Sequence, residues 1–175
     1  MNVKLGASAL LVVFLPAAIA LNAGQALERA IADRDLDGIV ELVEMGIVEA
    51  NIILPDGDTP LHIAAELDDL PGATVLIEYG ADTNARDMHD QTPLHRAAKT
   101  GSEEVATLLL RERSTEVNAR DRNGQTALHL ACREGNRIVG LLFDVDNIDL
   151  MAVDKHNKTP MQLAKLYGHS RDIWY

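Results

Sequence analysis

Cysteine is almost missing from this chain: Cys132 is the only one in 175 residues, so no disulfide can close within the molecule and its stability has to come from packing. No Gly/Ser-rich linker, charge block or low-complexity tract interrupts the sequence, which favours one elongated domain over two tethered ones. Positive charge is also scarce. Sixteen Lys and Arg stand against 27 Asp and Glu, a formal net charge of −11, and that balance argues against nucleic acid or anionic lipid as a partner, because both reward clustered cations. The chain contains no H-E-x-x-H, C-x-x-C, P-loop or G-x-S-x-G motif, the spacings that hydrolytic metals, redox dithiols, nucleotides and activated serines require. Acid pairs such as Asp68-Asp69 and Glu103-Glu104 are sequence neighbours, so they do not face one another across a cleft. Neither catalytic residues nor a cofactor or metal is expected.

What the chain has in quantity is self-similarity. Thr59-Pro60-Leu61-His62 returns as Thr92-Pro93-Leu94-His95, as Thr126-Ala127-Leu128-His129 and, degraded, as Thr159-Pro160-Met161-Gln162, with the threonines 33, 34 and 33 residues apart. A constant period of this size marks stacked repeats. Threonine before proline suits a helix start, where a hydroxyl can cap and the missing proline N–H costs nothing. Leu61, Ala64 and Ala65, like Leu94, Ala97 and Ala98, then fall on one helical stripe with side chains small enough for close approach between helices. Gly101, Gly135 and Gly168 can adopt the positive φ that ends a helix and reverses the chain. Asp56-Gly57 and Asn123-Gly124 read as turns.

In the form D-x-x-G-x-T-P-L-H-x-A-A-x-x-G, which runs from Asp121 to Gly135 with Ala127 for the proline and Cys132 for the second alanine, the unit resembles the ankyrin repeat, over roughly residues 25–175. The resemblance implies an all-α fold, an ankyrin-repeat solenoid of about five helix-turn-helix repeats with short hairpin loops, at about 25–53, 54–86, 87–120, 121–153 and 154–175. The first copy is weak: Ala26–Ala32 and Ile39–Val43 suit two short helices with Gly46 closing the second, but no Thr-Pro precedes them, as befits an end repeat with solvent on one side. At the other end Gly168-His169 opens a last short helix, expected to fray unless Ile173 and Trp174 dock. In the second copy Asp68-Asp69 replaces the turn Gly-His, so the following helix is expected to start near Pro71. Arg113 replaces a terminal glycine in the third copy, and the stretch Asn136–Leu141 in the fourth is one residue short.

Residues 1–20 differ in kind. Lys4 precedes a mainly apolar run from Leu5 to Ala20 that is short for a membrane span and carries Pro16, and Ala18-Ile19-Ala20 supplies a small-x-small cleavage pattern. The reading is a signal peptide, residues 1–20, leaving a repeat domain at 21–175; an uncleaved anchor is the rival. A periplasmic or secreted protein follows, with no membrane association after cleavage. Cys132 fills a small core position, which favours a buried inert thiol.

The resemblance places recognition on the hairpin tips and the free positions of the first helices. These are Asp56, Asp58, Glu66 and Leu67 in the second copy, and Met88, His89, Asp90, Gln91, Lys99 and Thr100 in the third. The fourth offers Arg122, Asn123, Gln125, Arg133 and Glu134, and the fifth Lys155, His156, Lys158, Leu166 and Tyr167, of which Leu166 and Tyr167 are the best anchors by residue type. Charge along this series is graded: residues 21–100 hold 16 acidic and 5 basic side chains, residues 101–175 hold 11 and 10. His62, His95 and His129 also recur at the repeat period. One imidazole per layer, on the order of 10 Å apart, cannot converge on a tetrahedral metal, and the resemblance assigns them instead to a hydrogen-bond network between hairpin and helix.

The implied function is protein–protein interaction by a monomer. The chain resembles small bacterial periplasmic ankyrin proteins, some linked to catalases and oxidative-stress resistance, which suggests an adaptor or chaperone-like binder. An immunity or inhibitor protein that blocks a toxin or enzyme in the same compartment is the alternative, and an enzyme using the concave face is a third reading without a residue to support it. N-terminal sequencing of exported protein is expected to start at Leu21 or within a few residues of it. Recovery of the full-length chain in the cytosol would refute export.

Overall fold

The structure, a computed structural model, describes Ala30, Asp33 and residues 35–169. The expected signal peptide, the first helix expected at Ala26–Ala32 and the helix expected beyond His169 lie outside the described residues. Eight α-helices and no strand occur among the described residues: α1 Leu36–Glu44, α2 Pro60–Leu67, α3 Leu70–Glu78, α4 Pro93–Thr100, α5 Glu103–Arg111, α6 Ala127–Glu134, α7 Ile138–Phe143 and α8 Pro160–Leu166. None exceeds nine residues, below the roughly 12–15 at which an isolated helix persists in water. Stacking must therefore hold them. The first helices of the copies, α2, α4, α6 and α8, lie against one another in order, and the second helices α1, α3, α5 and α7 form a parallel row.

Close approach is possible because the facing side chains are small. Ala64, Ala65, Ala97, Ala98, Ala131 and Cys132 are fully buried, and Leu61, Leu94 and Leu128 fill the space between them. Each such leucine contributes roughly 1.5–3 kcal/mol. Burial pushes the Cys132 thiol up to about 12, so it carries no thiolate at neutral pH, as expected of a core position.

Helix starts and stops follow the repeated phrase. Thr59, Thr92, Thr126 and Thr159 hold extended backbone at the N-caps, and proline opens α2, α4 and α8 while Ala127 takes its place in α6. The first helices stop at residues in the left-handed region: Gly101 and Gly135 with φ of 83° and 66°, and Asp68 with φ of 57°. Asp68 has a use beyond the turn, since its Oδ1 accepts the Val105 N–H at 3.0 Å. The departures in sequence stay local. Asp69 caps α3 by accepting from Gly72 N–H, so that helix begins at Leu70, one residue before Pro71. The shortened stretch in the fourth copy yields α7, only six residues long.

Between the helix pairs, the hairpins are tied by a carboxylate. Asp87 Oδ1 accepts from the backbone of His89 and Gln91, Asp121 Oδ1 from Asn123 and Gln125, and Asp154 Oδ1 from His156 and Lys158, all at 2.7–2.9 Å. In the second copy buried Leu54 occupies this position, and Asp56 takes over one bond by accepting from Asp58 N–H.

The periodic histidines bind two copies each. Nδ1 of His62, His95 and His129 accepts the N–H of the capping threonine three residues earlier at 3.1–3.2 Å. Nε2 reaches the carbonyl of Gln91, Gln125 and Lys158 in the following copy at 3.0–3.1 Å. A carbonyl only accepts, so Nε2 carries the proton and the ring is neutral. The network expected within one copy thus extends to the next. Burial lowers all three imidazoles from their ordinary 6.5, outweighing the carbonyl bonds that favour the charged form.

A base depressed in the folded state binds its proton more readily when unfolded, so the stabilisation is complete above the unfolded value of about 6.5 and is lost as pH falls below it. Chemical-denaturant midpoints are expected to be flat from pH ~8 to about 7 and to decline from ~6.5 toward ~5, above the range in which Asp87 and Asp154, both lowered from 3.8, begin to protonate. Replacing the three histidines by Gln, the residue at position 162, should flatten that decline. An unchanged slope would refute the assignment.

Candidate protein-binding surface

Two positions in the last turn of each first helix are left over by the packing. They carry Glu66-Leu67, Lys99-Thr100, Arg133-Glu134 and Leu166-Tyr167, in four successive layers, and all are exposed except half-buried Arg133. At the tips Met88, His89, Asp90, Arg122, Asn123, Lys155, His156 and Lys158 are exposed, with Asp56 and Gln91 half-buried. The solenoid therefore gathers most of the expected residues onto one surface. Two belong elsewhere. Asp58 is 1% exposed and Gln125 8%, because both are drawn inward by ties between copies, and they are corrected here from surface to framework.

Asp58 lies against Arg96, which sequence reasoning passed over. Its guanidinium reaches Asp58 Oδ1 at 2.8 Å and Asp87 Oδ2 at 2.7 Å, and Glu66 Oε2 at 3.3 Å. Burial raises the Asp87 carboxyl, but the backbone N–H of Gln91, the Arg96 fork and the His89 N–H outweigh it and leave the group below its ordinary 3.8. Burial alone would lower Arg96; its bond to Asp87 and the field of three carboxylates raise it instead. The only trace in sequence is a charge where the other copies have Ile63, Leu130 and Leu163, all buried. Gln125 has the corresponding role in the next layer, donating to Asp154 Oδ2 and accepting from Arg133 Nη1 at 3.4 Å each.

Further ties cross every described junction on the side away from the helix ends. The Asn51 amide donates to Gly80 O and accepts from Asp82 N; Asn84 does the same with Ser114 O and Glu116 N, and Asn118 with Asn147 O and Asp149 N. Arg86 and Arg120 donate to the carbonyls of Arg120 and Val153. Neighbouring tips are joined directly, Arg122 N to His89 O and Lys155 N to Asn123 O. Period alone could have found these residues, since the asparagines recur at 33 and 34 and the arginines at 34. Between the fourth and fifth copies the surface deepens into an open cleft of about 350 Å³, lined by Asn123, Gln125, Arg133, Asp154, His156, Lys158, Leu163, Leu166 and Tyr167. Among the described residues no group of three His, Cys, Asp or Glu is placed to hold a metal ion, and none of the helices is long and apolar enough to cross a membrane.

Rows of short helices tied layer to layer, with projecting hairpins and one free face, define the class: a helical-repeat scaffold. The family model described as "Ankyrin repeats (3 copies)" matches residues 27–121 and 113–175. The chain belongs to the ankyrin-repeat family, whose stacked repeats serve as a protein–protein interaction scaffold. It is 46% identical over 59 residues to human neurogenic locus notch homolog protein 4, covering 34% of this chain and 3% of that protein. With mouse neurogenic locus notch homolog protein 1 it shares 34% over 105 residues, 58% of this chain and 4% of the relative, and with human ARF GTPase-activating protein GIT1 33% over 85 residues, 48% and 11%. The likeness thus spans about a tenth or less of these relatives' lengths.

Arg96→Ala removes the guanidinium shared by three carboxylates, two of them with side chains 2% and 0% exposed. It is expected to cost about 3 kcal/mol, since breaking a buried pair leaves charge behind. Urea denaturation reads this directly, and a cost under about 0.5 kcal/mol, as for an exposed pair, would contradict it.

Proposed function

We propose that this protein is a non-enzymatic binding module which, after export, holds another protein along the hairpin tips and the last turns of the first helices. The observation that carries the proposal is the run from Glu66-Leu67 to Leu166-Tyr167: the same two positions in four layers stay outside the packing, while the surrounding polar groups are committed to ties between copies. A face made of repeated, differing side chains on a stiff support suits recognition, because little ordering entropy is lost on binding. The role is that of an adaptor or chaperone-like binder in the periplasm, in line with the resemblance to periplasmic ankyrin proteins linked to catalase and oxidative-stress resistance. The 16 acidic against 5 basic residues of the segment 21–100 favour one second reading, occlusion of a basic toxin or enzyme in the same compartment, in which complementary charge speeds and orients association. A tight one-to-one complex with a basic secreted enzyme would select that reading, and weak protection of a haem enzyme the first.

The test is capture from a periplasmic extract by the chain beginning at Leu21. A variant carrying Leu67→Arg, Thr100→Glu and Arg133→Glu should retain at least about tenfold less of the captured protein, a loss of about 1.4 kcal/mol. Equal capture by both would place binding on another surface.

A further inference from the structure

The cleft between the fourth and fifth copies differs from the rest of the free face in having exposed cations beside exposed apolar groups. Leu166 is 68% exposed and Tyr167 55%, at the two positions that elsewhere carry at least one charged side chain. Lys158 and His156 line the same cleft, as does the carboxylate of Asp154, and no ion pair engages Lys158 or His156 among the described residues. The acids nearby are already committed. Asp154 accepts from His156 N, Lys158 N and Gln125 Nε2, and Glu134 is held by Arg133 at 2.9 Å. Asp121 is bound to its own hairpin and to Gln91. The cleft thus presents the Lys158 ammonium without an ion pair among the described residues, next to an aliphatic and an aromatic side chain, in a molecule whose opposite half is strongly acidic.

We infer that this cleft takes an acidic peptide segment of the partner, one that places a single aromatic or large aliphatic side chain between Leu166 and Tyr167 and a carboxylate on Lys158. The inference rests on the binding role above and names the chemistry of what is bound. Charge fixes the direction of the ligand as well as its site: a carboxylate-rich segment is drawn to the fifth copy and repelled by the acidic copies at the other end. The apolar anchor sets affinity, as tyrosine is among the residue types that become energetic centres when covered.

Fluorescence anisotropy with the chain beginning at Leu21 tests this, using a labelled ten-residue Asp/Glu peptide with one central Trp. Controls are the same peptide with Ala for Trp, a Lys/Arg peptide retaining the Trp, and a single-stranded oligonucleotide of equal charge. Saturable binding is expected for the acidic Trp peptide only, weakened about tenfold by Lys158→Glu and by Tyr167→Ala and weakening further with salt. Leu67→Arg, in the second copy, should leave it within twofold, and thermal midpoints confirm that the exposed substitutions leave the fold intact. No saturable binding up to about a millimolar would overturn the inference, as would tighter binding of the basic peptide or equal binding of the oligonucleotide. A partner captured from extract as strongly by the Lys158→Glu, Tyr167→Ala double variant would also overturn it while leaving the binding function standing; loss of capture only in the Leu67, Thr100, Arg133 variant separates the two in the same assay.

Discussion

Everything in this molecule depends on helices too short to survive alone being satisfied by their neighbours. The imidazole at the third position of α2, α4 and α6 expresses that constraint most directly. One nitrogen completes the helix start of its own copy and the other closes the hairpin of the next, so the local and the long-range structure are the same bond network. Small side chains follow from it, because the 3.0 Å reach from ring to carbonyl exists only if the helices approach as closely as Ala97 and Ala98 allow. The charge state follows too: a ring that must accept at Nδ1 and donate at Nε2 has no room for a second proton.

The junction between the second and third copies meets the constraint differently. Where the other layers place Ile63, Leu130 or Leu163, Arg96 crosses the boundary and gathers Asp58, Glu66 and Asp87. An apolar side chain would satisfy the packing equally well, and a buried ionic cluster is seldom the more stable choice. Its effect is on surface chemistry: it withdraws acid charge from the free face at that layer, leaving Leu67 and Thr100 in a less negative setting than composition alone suggests.

Much of the fold was legible in the sequence because the phrase around Thr-Pro-Leu-His encodes a cap, a fixed φ, a core leucine and an imidazole within four residues, and repeats them at constant spacing. The irregular places were legible as well, as Asp68-Asp69 and the short stretch before Leu141 show, since a missing glycine or residue has a definite geometric result. The free face was legible only by subtraction. That method assigns Asp58 and Gln125 to the surface, because nothing in the letters tells an outward carboxylate or amide from one turned toward the next layer. Arg96 escaped for the same reason: two of its three carboxylate partners lie in the adjoining copy, and which of several polar groups it meets is decided by the stacking, not by the neighbouring sequence.

The ties contributed by His95, Asn84 and Arg86 share a property: each ends on main-chain atoms of the following copy. Peptide groups are the same whatever residue bears them, so the identity of the residue at the receiving end is left open. Two glutamines, Gln91 and Gln125, and a lysine, Lys158, take the same imidazole bond. Such an arrangement uncouples endurance from specificity. Selection can rewrite what the protein grips, letter by letter along the tips, without renegotiating how its layers hold together.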